Sequence, residues 1–353
     1  MRDEALDSLN HPLPMRPDLP GQLRLAVLNP GGSDPFQAFP GRAGAPGGAG
    51  HPPVNYHAYA ACTGGSFHRE IKTIPAEQTA VLLLLRRDLK LCLKSLASLK
   101  AQGKTVAVSL KESGSHQVAE LLADASRLAL FRQICEHASF CLSSTPDLIP
   151  LYAGAGARRV EFLPTPYPID DPRWDFSRPV ATRRGVFLGT REFDVPSRNH
   201  LAALFALRQM GAHVTVVNLD GRRGRRQLET LGFPLGRLRI VEGRIDYPGY
   251  LKLVAEHRLV FQLDRSAVPG QVAGDALLCR VPCVGGDGAI ERTAFSAQCG
   301  WGRTPAEVSE IASLLLRDDD AYAGAVEQSQ RVALEELSFA ETSRRLAERF
   351  ATR

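Results

Sequence analysis

The chain has 353 residues, 44% of them hydrophobic and 23% charged, with a formal net charge of +5. That length suits two ordinary domains, and the composition suits two buried cores. The mild basic excess favours anionic small ligands or an anionic membrane face. It falls short of the dense basic stripe of a nucleic-acid binder, so no nucleic-acid partner is expected.

No run of eighteen apolar residues occurs, so no stretch reads as a membrane-spanning helix. Residues 1–22 lack the apolar core of a signal peptide and read as a polar, proline-rich, disordered arm. The expected location is the cytoplasm, with peripheral contact at the inner membrane face kept open. Seven cysteines, an odd number, stand in apolar surroundings rather than in paired metal-type knuckles, which suits free buried thiols in a reducing compartment. Cys279 and Cys283 have no second Cys or His pair nearby in sequence, so no metal site is expected there.

Ordered structure should begin with a strand over 23–28 that ends in Asn29-Pro30-Gly31-Gly32. A Gly/Pro-rich loop over 33–53 follows, long enough to act as a lid or to be mobile. A helix should start near Asn55 and stop at Gly64-Gly65. Strands over 81–85, 105–110, 140–142 and 159–163 then alternate with helices over 88–102, about 115–137, and one capped by Ser144 or Thr145. That rhythm predicts a parallel sheet covered on both faces. The proline-rich stretch 164–179 is the best domain boundary in the chain.

The second half restarts the rhythm with strands over 185–188, 214–217 and 238–241 and helices over 198–210, 225–231 and 247–256. Residues 259–295 are the most informative stretch: a strand, a Pro-Gly turn, a small-residue helix over 271–279, a strand over 282–284, then Gly285 and Gly286. Such a βαβ unit lets a ligand approach the backbone at its glycine turns, and the helix N-terminus suits a diphosphate. Asp275, one turn in, can accept bonds from ribose hydroxyls. Two helices, 305–316 and a long amphipathic one over 321–350, complete the pattern. The expected fold is α/β, two Rossmann-like domains facing across a cleft, with the C-terminal helix packing back on the first. The boundaries are 23–165, a linker over 166–184, 185–320 and a terminal helix over 321–353.

Residues 145–353 resemble the donor domain of nucleotide-sugar-dependent glycosyltransferases of the GT-B fold, within the large retaining group marked by a Glu-Gly-Phe-Gly signature and a second Glu (glycosyltransferase family 4, group 1). Residues 186–207 are similar to the family's strand, turn and helix that carry its diphosphate-binding Arg and Lys, placing Arg191 and Arg198 there. Residues 214–233 resemble its next strand and turn, beside nucleobase and phosphates. The segment 268–286 aligns on the signature, with Gly270 at its second Gly and Asp275 at the second Glu. Residues 162–170 resemble its interdomain linker.

This chain departs from the signature at Ala267, eight residues before Asp275, where the family's first Glu touches the transferred sugar. The His that commonly follows the fourth strand is also absent from its usual place; Lys111 and Glu112 stand there, with His116 further on.

The resemblance implies a domain over 185–320 that binds donor and one over 23–165 that binds acceptor. Gly189, Arg191, Arg198, Asn218, Pro269, Gly270, Gln271, Val272 and Asp275 would contact a nucleoside diphosphate sugar, with the stretch 285–288 near the sugar. Arg191 and Arg198 would stabilise the charge growing on the leaving diphosphate. In a retaining mechanism that phosphate takes the acceptor proton; in an inverting one Glu112 or His116 would be the base. Gly31, Gly32, Asn55, Tyr56, His57 and Lys111 are the acceptor-side candidates. The acceptor itself, whether glycan, lipid-linked or small molecule, is open, as is the oligomeric state.

No cofactor beyond the donor substrate and no metal are expected; Asp318, Asp319 and Asp320 read as a helix cap. The basic run Arg222, Arg223, Arg225 and Arg226 reads as a solvated face. A sugar-nucleotide epimerase of the same shape and a non-catalytic nucleotide-sugar binding protein remain as alternatives.

Overall fold

The computed structural model of the protein describes residues 23–42, 51–189, 193 and 195–352. The expected arm over 1–22 and Arg191 lie outside them. The first lobe runs β1 (Ala26–Leu28), β2 (Gln37–Ala38), α1 (Asn55–Cys62), β3 (Ser66–His68), β4 (Ala80–Leu85), α2 (Leu89–Ala101), β5 (Thr105–Leu110), α3 (Ser115–Leu121), α4 (Ala125–His137), β6 (Phe140–Ser143), α5 (Ile149–Gly154) and β7 (Val160–Phe162). Its sheet has the order β2-β3-β1-β4-β5-β6-β7. Every pairing is parallel except that of β2 with β3.

All six residues of β4 are buried, so the strand reads as a continuous apolar run, as a parallel strand covered on both faces does. Successive side chains still alternate between faces. Val81, Leu83 and Leu85 pack with residues of α2 and α4, while Ala80, Leu82 and Leu84 pack with α1.

The second lobe comprises β8 (Val186–Leu188), α6 (His200–Gln209), β9 (Val214–Asn218), α7 (Gly221–Thr230), β10 (Leu238–Glu242), α8 (Tyr247–Ala255), β11 (Leu259–Gln262), α9 (Gln271–Leu278), β12 (Cys283–Gly285), α10 (Ala289–Ala294), α11 (Pro305–Arg317) and α12 (Asp319–Glu336), followed by α13 (Phe339–Ala351). Its sheet is wholly parallel in the order β10-β9-β8-β11-β12. The chain builds outward from β8 to one side, then returns to start β11 on the other. Between β8 and β11 the strand order reverses, and the crevice outside their carboxyl ends is where such sheets bind ligands.

Two expected helices are each broken. The stretch 115–137 stops at Leu121 because the Asp124 carboxylate accepts from Arg127 N (2.8 Å) and starts α4 afresh. The terminal helix is interrupted at Leu337 and Ser338, where Ser338 Oγ caps α13. Strands β2 and β3 and helix α10 fall in stretches whose sequence carried no periodic signal. Asp318 does cap α12, accepting from Ala321 N (2.9 Å). All seven cysteines are free and buried. No described helix is long and apolar enough to cross a membrane.

The break at Leu337 lets α13 turn back onto the first lobe. Phe339 and Leu346 join α1 and the β4 side chains in one core, and Arg349 Nε meets Glu161 Oε2 at 3.1 Å. The linker and this return crossing touch where Tyr167 N donates to Leu337 O (2.9 Å). Leu346 is fully buried, so Leu346→Ala should cost about 2–5 kcal/mol of stability through lost burial and a residual cavity. Denaturant melts of the purified variant check this; an unchanged midpoint would mean that α13 does not hold the first lobe together.

Candidate functional site

A cleft of about 590 Å³ lies between the lobes. One wall forms at the N-terminus of α9. Gly270 caps that helix with φ 96, a left-handed conformation open to glycine and strained for other residues. The first-turn amides of α9 have no intrahelical acceptor and face where the chain turns in from β11. Pro269, Gly270, Gln271 and Val272 all line the cleft, as does Gly189 at the end of β8.

Behind this turn, Tyr167 of the linker lies flat against Gly274. A Cβ on Gly274 would come within 2.0 Å of the Tyr167 ring. The Tyr167 hydroxyl donates to Gln271 O (3.3 Å) and approaches Asp275 Oδ1 (3.5 Å). Tyr247 donates to the same Asp275 oxygen. Burial first, and the Asp275 carboxylate second, hold both phenols well above their ordinary range. Both therefore stay O–H donors at neutral pH, and Asp275, 2% exposed, is fixed on the cleft wall.

Arg198 stands on a short 3₁₀ turn (Pro196–Arg198) before α6. Arg265 N donates to Ser197 O (2.7 Å) and the Ser197 and Ser266 hydroxyls share a bond of 2.7 Å, which ties this turn to the loop after β11. Arg198 Nη1 pairs with Asp264 Oδ2 at 3.0 Å. Arg198, Asp264 and Glu291 all line the cleft.

Glu291 is 2% exposed. Gln262 Nε2 donates to its Oε1 (2.7 Å), while Oε2 has no hydrogen-bond partner among the described residues. Burial, reinforced by Asp264 and Asp287, pushes this carboxyl up to about 8, so it is protonated at neutral pH.

The facing wall comes from the first lobe: Asn55, Tyr56 and His57 of α1, Lys111 and Glu112 after β5, and Asp34. Asn55 Nδ2 donates across the cleft to Gln271 Oε1 (3.3 Å). The Tyr56 hydroxyl donates to Leu110 O (2.5 Å) and meets Ser109 Oγ at 3.0 Å, so it braces β5 rather than facing a ligand. His57 stacks on Phe67 with ring centroids 4.0 Å apart, and burial lowers its basicity so that it is neutral at pH 7. Lys111 Nζ lies 3.2 Å from Glu112 Oε1.

Four expected site residues stand elsewhere. His116 is exposed, because α3 opens with Ser115 bound to Ser266 O (3.1 Å) and the next residue turns outward. Gly31 packs on Leu91 and Gly32 on the Asn29 side chain, outside the cleft lining. That turn instead positions Asp34, whose carboxylate accepts from Asn29 Nδ2 (2.8 Å). Asn218 is fully engaged by its own turn: it donates to Gly221 O and Glu242 Oε2 and accepts from Asp220 N. The arginines of α7 are exposed and do not line the cleft. Ala267 has φ 49 and donates its N–H to Asp287 Oδ1 (3.0 Å).

Asp34, Gln262, Asp264, Tyr247 and Glu291 were not picked out from sequence. Gln262 and Asp264 had a usable signal, since they end or follow a strand at its carboxyl end. Glu291 had a weaker one, three residues beyond the glycines.

No family model and no curated protein sequence matches this chain. Solved structures do match it. An E. coli trehalose-6-phosphate protein bound with UDP-2-fluoro glucose is 10% identical, with a TM-score of 0.63 over 94% of this chain and 99% of that one. Sucrose-phosphate synthase from Thermosynechococcus elongatus is 18% identical, with a TM-score of 0.54 over 77% and 72%. A UDP-forming α,α-trehalose-phosphate synthase from Burkholderia xenovorans is 11% identical, with a TM-score of 0.56 over 77% and 73%. These are GT-B proteins, and the fold of this chain is GT-B.

One substitution probes the wall, with a second on α12 as its reference. Alanine at a helical glycine normally stabilises by about 0.5–1 kcal/mol, and Gly324→Ala, with nothing within 4 Å of the added carbon, should do so. Gly274→Ala should instead destabilise by roughly 1–3 kcal/mol, because the Tyr167 ring must move. Equal effects at the two sites in urea melts would refute this packing.

For Glu291, the folded-state value of about 8 stands above the ordinary 4.5. Its contribution to stability is therefore complete below about pH 4.5 and is lost as pH rises through about 8. Glu291→Gln removes that dependence. The melting temperature of the variant minus that of the wild type should thus increase from about pH 5 to about pH 9; a flat difference would place the proton elsewhere.

Proposed function

We propose that this protein is a glycosyltransferase that moves a sugar from a nucleoside diphosphate donor, UDP-sugars foremost, to a glycan, lipid-linked or small-molecule acceptor. The reading includes retention at the anomeric carbon, no metal, and kinship with the retaining group carrying the Glu-Gly-Phe-Gly signature. One observation carries it. The N-terminus of α9, Arg198 and Asp275 meet on one wall of a cleft at the strand reversal of a parallel sheet, opposite polar groups of the other lobe.

In this reading the first-turn amides of α9 and Arg198 bind the diphosphate, and Asp275, fixed by two tyrosines, takes the ribose. The bond between the anomeric carbon and the diphosphate oxygen breaks, and the acceptor oxygen bonds to that carbon. The acceptor proton passes to the departing phosphate. Charge grows on the diphosphate as this happens, and fixed donors stabilise it more in the transition state than before it. Asn55, His57, Lys111 and Glu112 would hold the acceptor. The neighbours' names, one UDP-forming and one bound with UDP-2-fluoro glucose, support starting with uridine donors.

A thermal-shift panel of UDP, GDP, ADP, dTDP and CMP with their sugar conjugates tests the donor step. A ligand at 100 times its Kd should add about 2.7 kcal/mol, and Arg198→Ala should lose most of that shift. Release of free diphosphate only with an acceptor present supports transfer. Sugar conversion without acceptor would mean an epimerase, binding without turnover a binding protein, and no shift from any nucleotide would end the donor reading.

A further inference from the structure

Glu291 is a buried carboxyl of the cleft that has no cation beside it among the described residues. Asp264 has Arg198 at 3.0 Å, and Asp275 has two tyrosine hydroxyls. Glu291 has the Gln262 amide and its own backbone N–H, while Oε2 has no hydrogen-bond partner among the described residues. The groups that face it are neutral or acidic: Asp264 from the loop after β11, Asp287 from the loop after β12, Tyr167 from the linker and Cys283 from β12. Its neighbour Arg292 points away, to Asp147 of the first lobe at 2.9 Å and over the Trp301 ring at 3.6 Å. No cation among the described residues pairs with Glu291.

The chain makes room for this carboxyl with glycine. A Cβ on Gly270 would stand 2.1 Å from Oε2, one on Gly288 2.4 Å from Oε2, and one on Gly286 3.1 Å from Oε1. Three glycines, one capping α9 and two from the loop between β12 and α10, close on the two oxygens. Gly270 is also the cap of α9, so Oε2 sits directly behind the turn whose amides open into the cleft. An ionised carboxyl there would place a negative charge in a dry setting close to the anion subsite, where screening by water is weak.

We propose that Glu291 is a positioning residue of the donor cleft: a neutral carboxyl seated against Gly270 that keeps the wall behind the α9 amides free of negative charge, so that a nucleoside diphosphate sugar binds while it is protonated and is released when it ionises. The inference rests on the donor reading of the cleft. It makes Glu291 a determinant of donor affinity that acts through the Gly270 turn, without touching the reacting atoms.

The test is calorimetric titration of the full chain with the nucleotide sugar giving the largest thermal shift, UDP-glucose being the first probe, across about pH 6.5–9. The two phosphates of such a donor are ionised throughout this range, so the ligand's own phosphate charge does not change. Wild-type Kd should weaken about tenfold toward the top of the range, as loss of one bound proton requires. Glu291→Gln keeps the shape and the neutral state, so its Kd should equal the wild-type value at the low end and stay flat. Asp287→Asn removes a nearby negative charge that favours the neutral Glu291 carboxyl, so its weakening should remain but set in at lower pH than in the wild type.

A pH-independent wild-type Kd overturns the inference and leaves the donor reading intact. So does a Glu291→Gln profile that falls with the wild type, or an Asp287→Asn profile that becomes flat. Failure of every nucleotide sugar to bind at the low end overturns both.

Discussion

The geometry of the cleft depends on one contact, the Tyr167 ring lying where Gly274 has no side chain. Tyr167 belongs to the connection between the lobes, and its backbone N–H donates to Leu337 O where the chain crosses back. The same residue therefore joins both crossings by its main chain and the donor-side helix by its ring. Its hydroxyl then reaches Gln271 O and Asp275. Hinge, helix and the carboxylate assigned to ribose are held as one unit.

The cleft is also unusual in its charge. Asp34, Glu112, Asp264, Asp275 and Glu291 line it, against Lys111 and Arg198 among the described residues. An anionic donor can be accommodated only if those carboxyls are individually neutralised or occupied. Three of them are compensated in three different ways: a guanidinium for Asp264, two phenols for Asp275, and loss of charge by burial for Glu291. Ala267 fits the same pattern. Its backbone N–H is held by Asp287 and its side chain is an uncharged methyl group.

Much of this architecture was legible in the sequence. The short apolar run 81–85 and the largely apolar 259–263, bounded by turn signals, read as buried strands, and Gly270 before a small-residue helix points to a tight βα turn. What failed were features decided by single local hydrogen bonds. Asp124 and Ser338 restart helices within otherwise continuous helical patterns, and neither stands out by periodicity. The cleft lining was legible where it follows from strand ends and helix starts, as at Lys111 and Gly270, and illegible where distant loops converge. Asn218 looked like a ligand residue because its strand and turn resemble a nucleotide-side one, yet its side chain is held by Asp220, Gly221 and Glu242. Glu291 looked ordinary because its neighbours in space, Gly270 and Gln262, are remote in sequence.

The return of α13 bears on how the protein is made. Phe339 and Leu346 complete a core whose other members come from 25–163, so the lobe translated first is the lobe completed last. Until α13 is made, the part of that face beside α1 stays uncovered through the synthesis of the second lobe. The nascent chain thus carries an apolar patch while the second lobe is made, and the first lobe is completed only after the second even though each has its own sheet.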